Sequence, residues 1–250
     1  MSNPSVFNTY SRYYNLLYQD KDYTAESSYV DELLKRCEVG GGNLLEFGSG
    51  TGKHGRMLTE KGYDITGIER SAGMVAQAKQ ENGFTCEQGD IRSVHLGRTF
   101  DAVISLFHVI SYQITNTDVH AVFSRAAEHL QSGGLFLFDV WYSPAVYMQK
   151  PEVRIKRLAD EVMEITRIAE PVIRPNENRV DVNFTIFAQD LKTGACQVLK
   201  ESHPMRHFSL PEIDQFASER GFQRIISEEF LSGSEPGIDT WGVCFVLRKV

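Results

Sequence analysis

Apolar and amphipathic stretches alternate along residues 43–141. Apolar runs of five to seven residues, several of them apolar on both faces, predict short buried strands of a parallel sheet. The amphipathic stretches between them have helical spacing, so strand and helix alternate as in βαβ units. The predicted strands are 43–47, 63–69, a weaker 84–90, one opening the 100–111 segment, and 135–141.

Helix ends are marked by capping and glycine signals. A helix over 25–37 ends before a glycine triplet, and a helix over 52–62 ends at its own glycine. Ser71 and Gly83 predict the start and stop of a third helix over 71–83. A fourth helix is predicted over 116–134, with Asn116 or Thr117 as its N-cap and Gly133-Gly134 at its end.

The pattern changes to a period near two after residue 160. Three alternating segments between 160 and 206, separated by "RPNEN" and "KTG", predict antiparallel strands that are solvated on one face. A helix over 210–221 and strands over 222–230 and 240–249 close the chain. The predicted fold is therefore α/β, with a doubly wound, mostly parallel sheet and an antiparallel β insertion.

Composition narrows the function classes. The 250 residues carry a net charge of −7 without a basic block, which argues against binding to nucleic acid. Four cysteines lie far apart with no CxxC or Cys/His cluster, so neither a metal site nor a disulfide framework is expected. The polar N-terminus and short apolar runs predict no signal peptide and no membrane span, hence a cytoplasmic protein.

Glycines occupy alternate positions where the first strand meets a helix, at Gly48, Gly50 and Gly52. They allow a tight turn and let a ligand approach the backbone N–H groups at the helix start. Lys53 stands where the third glycine of GxGxxG would be, and the spacing of a phosphate loop is absent. Glu69 ends the second strand and can accept both hydroxyls of a ribose, which suits any adenosine cofactor, NAD included.

Five segments in order then resemble the class I S-adenosylmethionine-dependent methyltransferases, whose sheet has seven strands in a Rossmann-like fold. The segments are "LLEFGSGTG", "GIERSAGM", "QGDIRS", "FDAVISLFHVISY" and "HLQSGGLFLFDV". The resemblance implies S-adenosyl-L-methionine as cofactor. It places the loop glycines along the methionine part, Glu69 on the ribose, Asp90 and Ile91 on the adenine, and Leu106 on the pocket wall. The cofactor-binding residues expected on this basis are Tyr23, Glu46, Gly48, Ser49, Gly50, Glu69, Arg70, Asp90, Ile91 and Leu106.

The flanks are similar to sugar N,N-dimethyltransferases that act on nucleotide-linked amino sugars. The similar segments are "YYNLLYQDKDYTAE", "DVWYSP" and the antiparallel insertion. By this likeness Tyr23 touches the cofactor and Tyr18 faces the acceptor. It also implies one methyltransferase domain over 1–250. Its parts are a tyrosine-rich cap (1–26), a cofactor-binding core (27–141), a lid-forming insertion (142–207) and a closing helix with strands (208–250).

Acceptor chemistry would need a neutral amine in line with the methyl group. His108 and Tyr112 lie just beyond the fourth strand, and Tyr14 and Tyr18 are placed to cover the site, so these four are the catalytic candidates. Packing is the competing interpretation for each of them. The residues predicted to bind the substrate, including any nucleotide phosphates, are Tyr142, His203, Arg206 and His207.

The leading hypothesis is methyl transfer to a small-molecule acceptor, most favourably an amine of a nucleotide-linked sugar. An O-methyltransferase acting on another metabolite is the first alternative. A nicotinamide-dependent oxidoreductase and a non-catalytic binding module are two others. Exposed strands of the insertion also predict a homodimer.

Overall fold

The computed structural model describes residues 16–250, and eleven strands lie within that range. Seven of them form the core sheet: β1 (Gly42–Phe47), β2 (Tyr63–Glu69), β3 (Phe84–Gln88), β4 (Phe100–Ser105), β5 (Leu130–Tyr142), β10 (Phe222–Glu229) and β11 (Gly242–Lys249). The insertion supplies β6 (Arg154–Ala159), β7 (Met163–Arg174), β8 (Arg179–Asp190) and β9 (Cys196–Phe208).

The core sheet has the strand order β3-β2-β1-β4-β5-β11-β10. Its first five strands are parallel, and β11 is antiparallel to both β5 and β10. The chain crosses from β3 back past β1 to β4, which leaves a crevice beyond the carboxyl ends of β1 and β4. The predicted α/β class, with a mostly parallel seven-stranded sheet and an antiparallel insertion, is confirmed.

Helices cover both faces of this sheet because its central strands are apolar on both sides. Phe123 and Phe216 pack on one face, whereas Leu33 and Leu58 pack on the other. The helices are α1 (Tyr23–Arg36), α2 (Lys53–Thr59), α3 (Ala72–Val75), α4 (Asn116–Glu128), α5 (Ser143–Gln149) and α6 (Leu210–Ser218). Short 3-10 turns lie at Val109–Tyr112 and Pro175–Glu177.

The helix predicted over 71–83 is wrong in length, because α3 ends at Val75. Ser71 caps it as predicted, accepting a hydrogen bond from the Met74 N–H at 3.3 Å. Beyond Val75 the chain offers only Ala78 to the core. Without an apolar face to bury, the polar residues that follow gain nothing from a helical arrangement.

The predicted ends of the fourth helix are also displaced. Thr115 is the N-cap, and its hydroxyl accepts from the Asp118 N–H at 3.1 Å. The helix stops at Glu128, and the Gly133-Gly134 pair lies inside β5. The Phe100 N–H donates to the His129 carbonyl at 2.8 Å, so pairing with β4 begins before the glycines are reached.

The insertion forms a four-stranded antiparallel sheet, one strand more than predicted. The missing strand is β6, which pairs with β7 along its length and is mostly exposed, so its apolar pattern is weak. This sheet joins the core where Trp141 and Tyr142 of β5 pair with His207 and Phe208 of β9. The division into cap, core, lid and closing segments stays a prediction.

Residues 16–250 contain no helix that combines the length and the apolar character needed to cross a membrane. Within the same range, no three His, Cys, Asp or Glu side chains come together as a set of metal ligands.

Candidate active site

A cavity of about 910 Å³ lies between the carboxyl ends of the core strands and the insertion sheet. Gly48, Glu69 and Leu106 line it from the core, and Phe184 and His203 line it from the insertion. One continuous space therefore connects the glycine loop with the antiparallel strands. This is the crevice where open α/β sheets bind ligands.

The glycine loop has a left-handed backbone at Gly48, Gly50 and Gly52, with φ of 72°, 58° and 75°. A Cβ on Gly48 would lie 2.6 Å from both Cγ atoms of Val109, so this glycine is needed for packing. A Cβ on Gly50 would meet nothing closer than the Met74 sulfur at 3.8 Å. Gly50 therefore leaves the loop backbone accessible from the cavity, as expected for a ligand that lies flat against it.

Glu69 is held at the tip of β2 by two backbone N–H groups. Its Oε2 accepts from Gly50 at 3.1 Å and its Oε1 from Ser71 at 2.7 Å. Burial raises the pKa of this carboxyl group, while the two N–H donors oppose the rise. Each carboxylate oxygen retains a lone pair for another donor, so the group is fixed in place and still able to bind vicinal hydroxyls.

Glu46 does not reach the cavity wall. It is 2% exposed and lies beneath the loop near Gly55, and its Oε2 has no hydrogen-bond partner among the residues the structure describes. Burial, together with the nearby Glu69 charge, raises the pKa of Glu46 to about 8. A carboxyl group in this environment is mainly protonated at neutral pH. Direct contact of Glu46 with a cofactor stays a prediction.

The loop after β3 carries a charged network beside an apolar wall. The Arg92 guanidinium donates to Asp90 at 2.6 Å and to Asp118 at 2.8 Å. The hydrogen bonds from Arg92 lower the pKa of Asp90, so this carboxylate is ionised. Asp90, Ile91, Leu106 and Arg70 all line the cavity. The combination of an anionic acceptor with apolar surface suits a purine ring that carries an amino group.

His108 follows β4 in a left-handed conformation, with φ of 60°, next to Phe107 with φ of 65°. Its Nδ1 lies 2.6 Å from Oδ2 of Asp139, and the His108 N–H also donates to that carboxylate. Burial would raise the pKa of Asp139, but the His108 ring and N–H outweigh it and hold the pKa below its usual value. Such backbone strain is typical of sites where an interaction fixes a side chain.

Asp139 is a site residue that the sequence analysis missed. It is 1% exposed and lies on β5, where all its neighbours in "LFLFDVW" are apolar. A lone acidic residue in a buried strand needs a partner, because an uncompensated charge there is costly. That signal was present in the sequence, whereas the identity of the partner was not.

Tyr112 joins the core to the insertion through hydrogen bonds. Its hydroxyl lies 2.9 Å from Nδ1 of His203, and Nε2 of His203 lies 3.2 Å from Oε2 of Glu201. Burial raises the pKa of the Tyr112 phenol well above its usual value, so the phenol is neutral. All three residues line the cavity. Glu201 is a second residue that the sequence analysis missed.

Tyr18 and Tyr23 both reach the cavity from the N-terminal side. The ring of Tyr18 packs edge-on against Phe107, with the centroids 5.1 Å apart, and its hydroxyl accepts from Arg167 at 3.4 Å. Tyr23 packs against the His54 ring and beneath the Lys53 ammonium group. Tyr14 lies outside the described residues.

Tyr142, Arg206 and His207 are not on the cavity wall. The Arg206 guanidinium forms an ion pair with Glu212 and donates to Asn116 at 2.8 Å. His207 is fully buried, and its Nδ1 lies 2.8 Å from the Ser143 hydroxyl. Burial and the Arg206 charge lower the pKa of His207 to about 4. Arg206 thus holds β9 to α4 and α6, and His207 holds it to α5. Substrate binding by Tyr142, Arg206 and His207 stays a prediction.

Cationic side chains that the sequence analysis did not single out line the insertion end of the cavity. They belong to different strands of the insertion sheet. The register places Arg154 and Arg167 on the face that carries Phe184 and His203, and it places Arg179 and Lys200 on the opposite face. They are Arg154, Arg167, Arg179 and Lys200.

Comparison with known proteins agrees with this geometry. A family model described as a methyltransferase domain matches residues 44–134. The chain is 31% identical over 176 residues to a dTDP-3-amino-3,4,6-trideoxy-alpha-D-glucopyranose N,N-dimethyltransferase of Streptomyces venezuelae, covering 69% of this chain and 74% of the relative. It is 26% identical over 227 residues to a dTDP-3-amino-3,6-dideoxy-alpha-D-glucopyranose N,N-dimethyltransferase of Streptomyces fradiae, covering 90% and 86%.

A solved structure extends the similarity to nearly the whole chain. The crystal structure of Streptomyces venezuelae DesVI superposes with a TM-score of 0.80 and 26% identity, covering 96% of this chain and 98% of that one. The chain, with a glycine loop and a buried strand-end carboxylate at the crevice of a seven-stranded sheet, belongs to the S-adenosylmethionine-dependent methyltransferases and uses S-adenosyl-L-methionine as its cofactor.

Proposed function

We propose that this enzyme methylates an amine of a nucleotide-linked amino sugar. The observation that carries the proposal is the single cavity that runs from the glycine loop to the cationic side chains of the insertion sheet. The space beyond the cofactor site can take an acceptor larger than a free sugar. Both Streptomyces relatives are N,N-dimethyltransferases of dTDP-linked amino sugars, which supports the same acceptor class.

We assign the cofactor to the loops that follow β1 to β4. Gly50 and the neighbouring Ser49 present backbone to the methionine part, and the fixed Glu69 carboxylate accepts from the ribose hydroxyls. Asp90 and Ile91 receive the adenine, one by hydrogen bonding and the other by apolar contact. When bound, the cofactor supplies an electrophilic sulfonium methyl group, so the protein needs no covalent intermediate.

The acceptor amine is assigned to the space between His108, Tyr112 and Tyr18. In the neutral ring of His108 the proton belongs on Nδ1, which faces the Asp139 carboxylate at 2.6 Å, because two acceptors would repel at that distance. This fixes the tautomer and leaves Nε2 of His108 as an acceptor for an N–H group. The ring thus orients an amine, and orientation with exclusion of water is the main contribution to the rate that this reaction needs.

We assign the phosphates of the acceptor to the cationic end of the cavity, at Arg154 and Arg167, which lie on the cavity-facing side of the insertion sheet with Phe184. Guanidinium groups bind phosphate oxygens through two parallel hydrogen bonds. Arg167 is held over the rings of Tyr18 and Phe184, with its guanidinium carbon 5.9 and 4.9 Å from the two centroids. Its position is therefore set before any acceptor arrives.

The test is a panel of dTDP-linked sugars incubated with labelled S-adenosylmethionine and read by mass spectrometry. The panel pairs each amino sugar with the same sugar carrying a hydroxyl at that carbon. Label on the amino sugars alone supports the proposal. Label on the hydroxyl sugars would make the enzyme an O-methyltransferase, and no label on either class would overturn the acceptor assignment.

A homodimer through the insertion is a second proposal. The strand β6 lies at the edge of its sheet, and among the residues the structure describes it pairs only with β7. Ile155, Phe187 and Val198 lie on one face of this sheet and are 55%, 38% and 51% exposed. A second copy would cover both the open edge and these side chains. Light scattering after size exclusion tests this, and a monomer mass for the wild-type chain would contradict it.

We also propose that the enzyme works in the cytoplasm. Cys37, Cys86, Cys196 and Cys244 are all free thiols, three of them buried, which suits a reducing compartment. Fractionation of cells followed by immunodetection would check this, and recovery outside the cytoplasm would contradict it.

A further inference from the structure

Tyr112, His203 and Glu201 form a continuous hydrogen-bonded chain on the cavity wall. Tyr112 ends the 3-10 turn that follows β4, whereas Glu201 and His203 lie on β9, about ninety residues away in sequence. The phenol oxygen is 2.9 Å from Nδ1 of His203, and Nε2 is 3.2 Å from the Glu201 carboxylate. His203 is 2% exposed, so its ring is confined between these two partners.

The carboxylate of Glu201 fixes the tautomer of His203. A neutral imidazole has one N–H group and one acceptor nitrogen. The N–H group must be Nε2, because an unprotonated Nε2 would face the carboxylate with two lone pairs in opposition. The acceptor nitrogen is then Nδ1, and the phenol of Tyr112 donates its only proton to it. Any further partner of the Tyr112 oxygen in the cavity must therefore be a hydrogen-bond donor.

Other groups around this chain set its electrostatic environment. Tyr18, Glu69 and Arg70 act on the Tyr112 phenol from the core side of the cavity. The ring of Phe184 packs edge-on against His203, with the centroids 4.8 Å apart, and the Arg167 guanidinium lies over the Phe184 ring. Both acidic and basic groups thus face the chain, and Glu201 is the charge in direct contact with His203.

We propose that Tyr112, His203 and Glu201 act as a relay that removes one proton from the acceptor amine for each methyl group transferred. The proposal rests on the proposed function, because it needs an acceptor that carries N–H groups. Tyr112 touches the acceptor and is the catalytic residue of the relay. His203 and Glu201 act through it and are positioning residues.

The proton and electron pairs balance over one turnover. An N–H proton of the ammonium form passes to the Tyr112 oxygen as the phenol proton passes to Nδ1 of His203. The resulting imidazolium is stabilised by the Glu201 carboxylate. The freed lone pair of the amine then forms the new N–C bond while the C–S bond breaks and its electron pair stays on sulfur. The imidazolium returns its proton to water before the next turnover.

The first test concerns the tautomer and needs no acceptor. Nitrogen NMR of the full chain with labelled histidine is expected to show His203 as the Nε2–H tautomer in the wild type. Glu201→Gln is expected to weaken this preference, and Tyr112→Phe is expected to shift the Nδ1 resonance. An Nδ1–H tautomer in the wild type would overturn the relay, whatever the acceptor proves to be.

The second test follows the rate with an amino sugar nucleotide from about pH 6 to about pH 9, the range in which histidines and sugar amines titrate. His203→Gln should lower kcat about 100-fold, at the lower end of the range for general acid–base catalysis. The remaining rate should rise more steeply with pH, because only amine that arrives already neutral can react. Imidazole added to His203→Ala should restore part of the rate.

Tyr112→Phe supplies the matched comparison. If the two residues act in one relay, the double variant Tyr112→Phe/His203→Gln should have about the kcat of the slower single variant. Two outcomes would overturn the relay and leave His203 as a packing residue. One is a loss of kcat in the double variant equal to the product of the two single losses, and the other is a wild-type pH profile in His203→Gln. A wild-type enzyme that labels no amino sugar would instead refute the proposed function, and the catalytic role of the relay with it.

Discussion

The two sides of the cavity are built in different ways. On the cofactor side, defined as the loops at 48–52, 69–71 and 89–92, the defining contacts are backbone N–H groups that donate to carboxylates, two of the three joining residues only two positions apart. On the acceptor side, defined as Tyr112 with β6 to β9, the contacts join side chains far apart in sequence, such as Tyr112 with His203. A cofactor shared by many enzymes can be bound by local motifs, whereas acceptor recognition depends on how distant elements pack.

The largest effect is expected at the glycine loop. Gly48→Ala should lower the free energy of unfolding by about 2–5 kcal/mol, because an alanine pays about 1–2 kcal/mol for the left-handed backbone and about 1–3 kcal/mol for its contact with Val109. Gly50→Ala should lower the free energy of unfolding only by the backbone contribution of about 1–2 kcal/mol. Urea denaturation measures both variants. Equal losses would contradict the packing role given to Gly48, and Val109→Ala should recover part of the loss in Gly48→Ala.

His207 should make the acceptor side sensitive to acid. Its pKa falls from a usual 6.5 to about 4 in the folded protein, so protons bind the unfolded chain first as the pH drops. The stability that neutral His207 provides is present above its unfolded pKa and is lost as the pH falls towards 4, by up to about 3 kcal/mol.

Unfolding free energies measured across this pH range should therefore decline less steeply in His207→Gln than in the wild type. His95→Gln is the comparison for an exposed histidine, because the His95 side chain is 65% exposed and its contact is an ion pair with Glu128. If the unfolding free energy of His207→Gln falls with pH as steeply as that of the wild type, His207 is not the source of the acid sensitivity.

Glu69 separates the two sides in a binding experiment. Glu69→Ala should weaken S-adenosylmethionine binding by about 1–3 kcal/mol, since charged hydrogen bonds to the ribose would be lost. His203→Gln should leave this affinity unchanged, because His203 lies on the acceptor side. Calorimetry with the cofactor measures both. Normal affinity in Glu69→Ala would remove this residue from the cofactor site.

The smallest effect tests how finely local sequence signals locate a helix end. Thr115→Ala should cost about 1 kcal/mol of stability, because its hydroxyl accepts from the Asp118 N–H at the start of α4. Thr117→Ala should change stability little, although Thr117 was one of the two predicted caps. A larger loss in Thr117→Ala would reverse this assignment.

Much of the cofactor side could be predicted before the structure was known. The strand over 63–69 was placed with its observed ends, and Glu69 was expected at its tip. Both depend on a short apolar run followed by a polar residue, which is a local signal. Glu46 shows the limit of such signals, because only the packed structure reveals that it lies beneath the loop with a raised pKa.

The acceptor side was predicted less well. Substrate binding by Tyr142, Arg206 and His207 stays a prediction, and the contacts of Arg206 and His207 are with helices beside β9. Asp139 and Glu201 were not identified, although Asp139 contacts His108 and Glu201 contacts His203, which were both predicted site residues. Partner choice between distant residues depends on strand register and on how two sheets pack, and neither is encoded in any local pattern.

The amino-acid order alone determined the α/β alternation, the glycine turn and the carboxylate at the end of the second strand, because periodicity, backbone freedom and strand length act between neighbours. Only the tertiary structure decided which face of β9 meets Tyr112, which carboxylate orients His108 and which arginines are used for packing. These outcomes depend on contacts between segments that approach one another only when the core sheet and the insertion sheet are assembled.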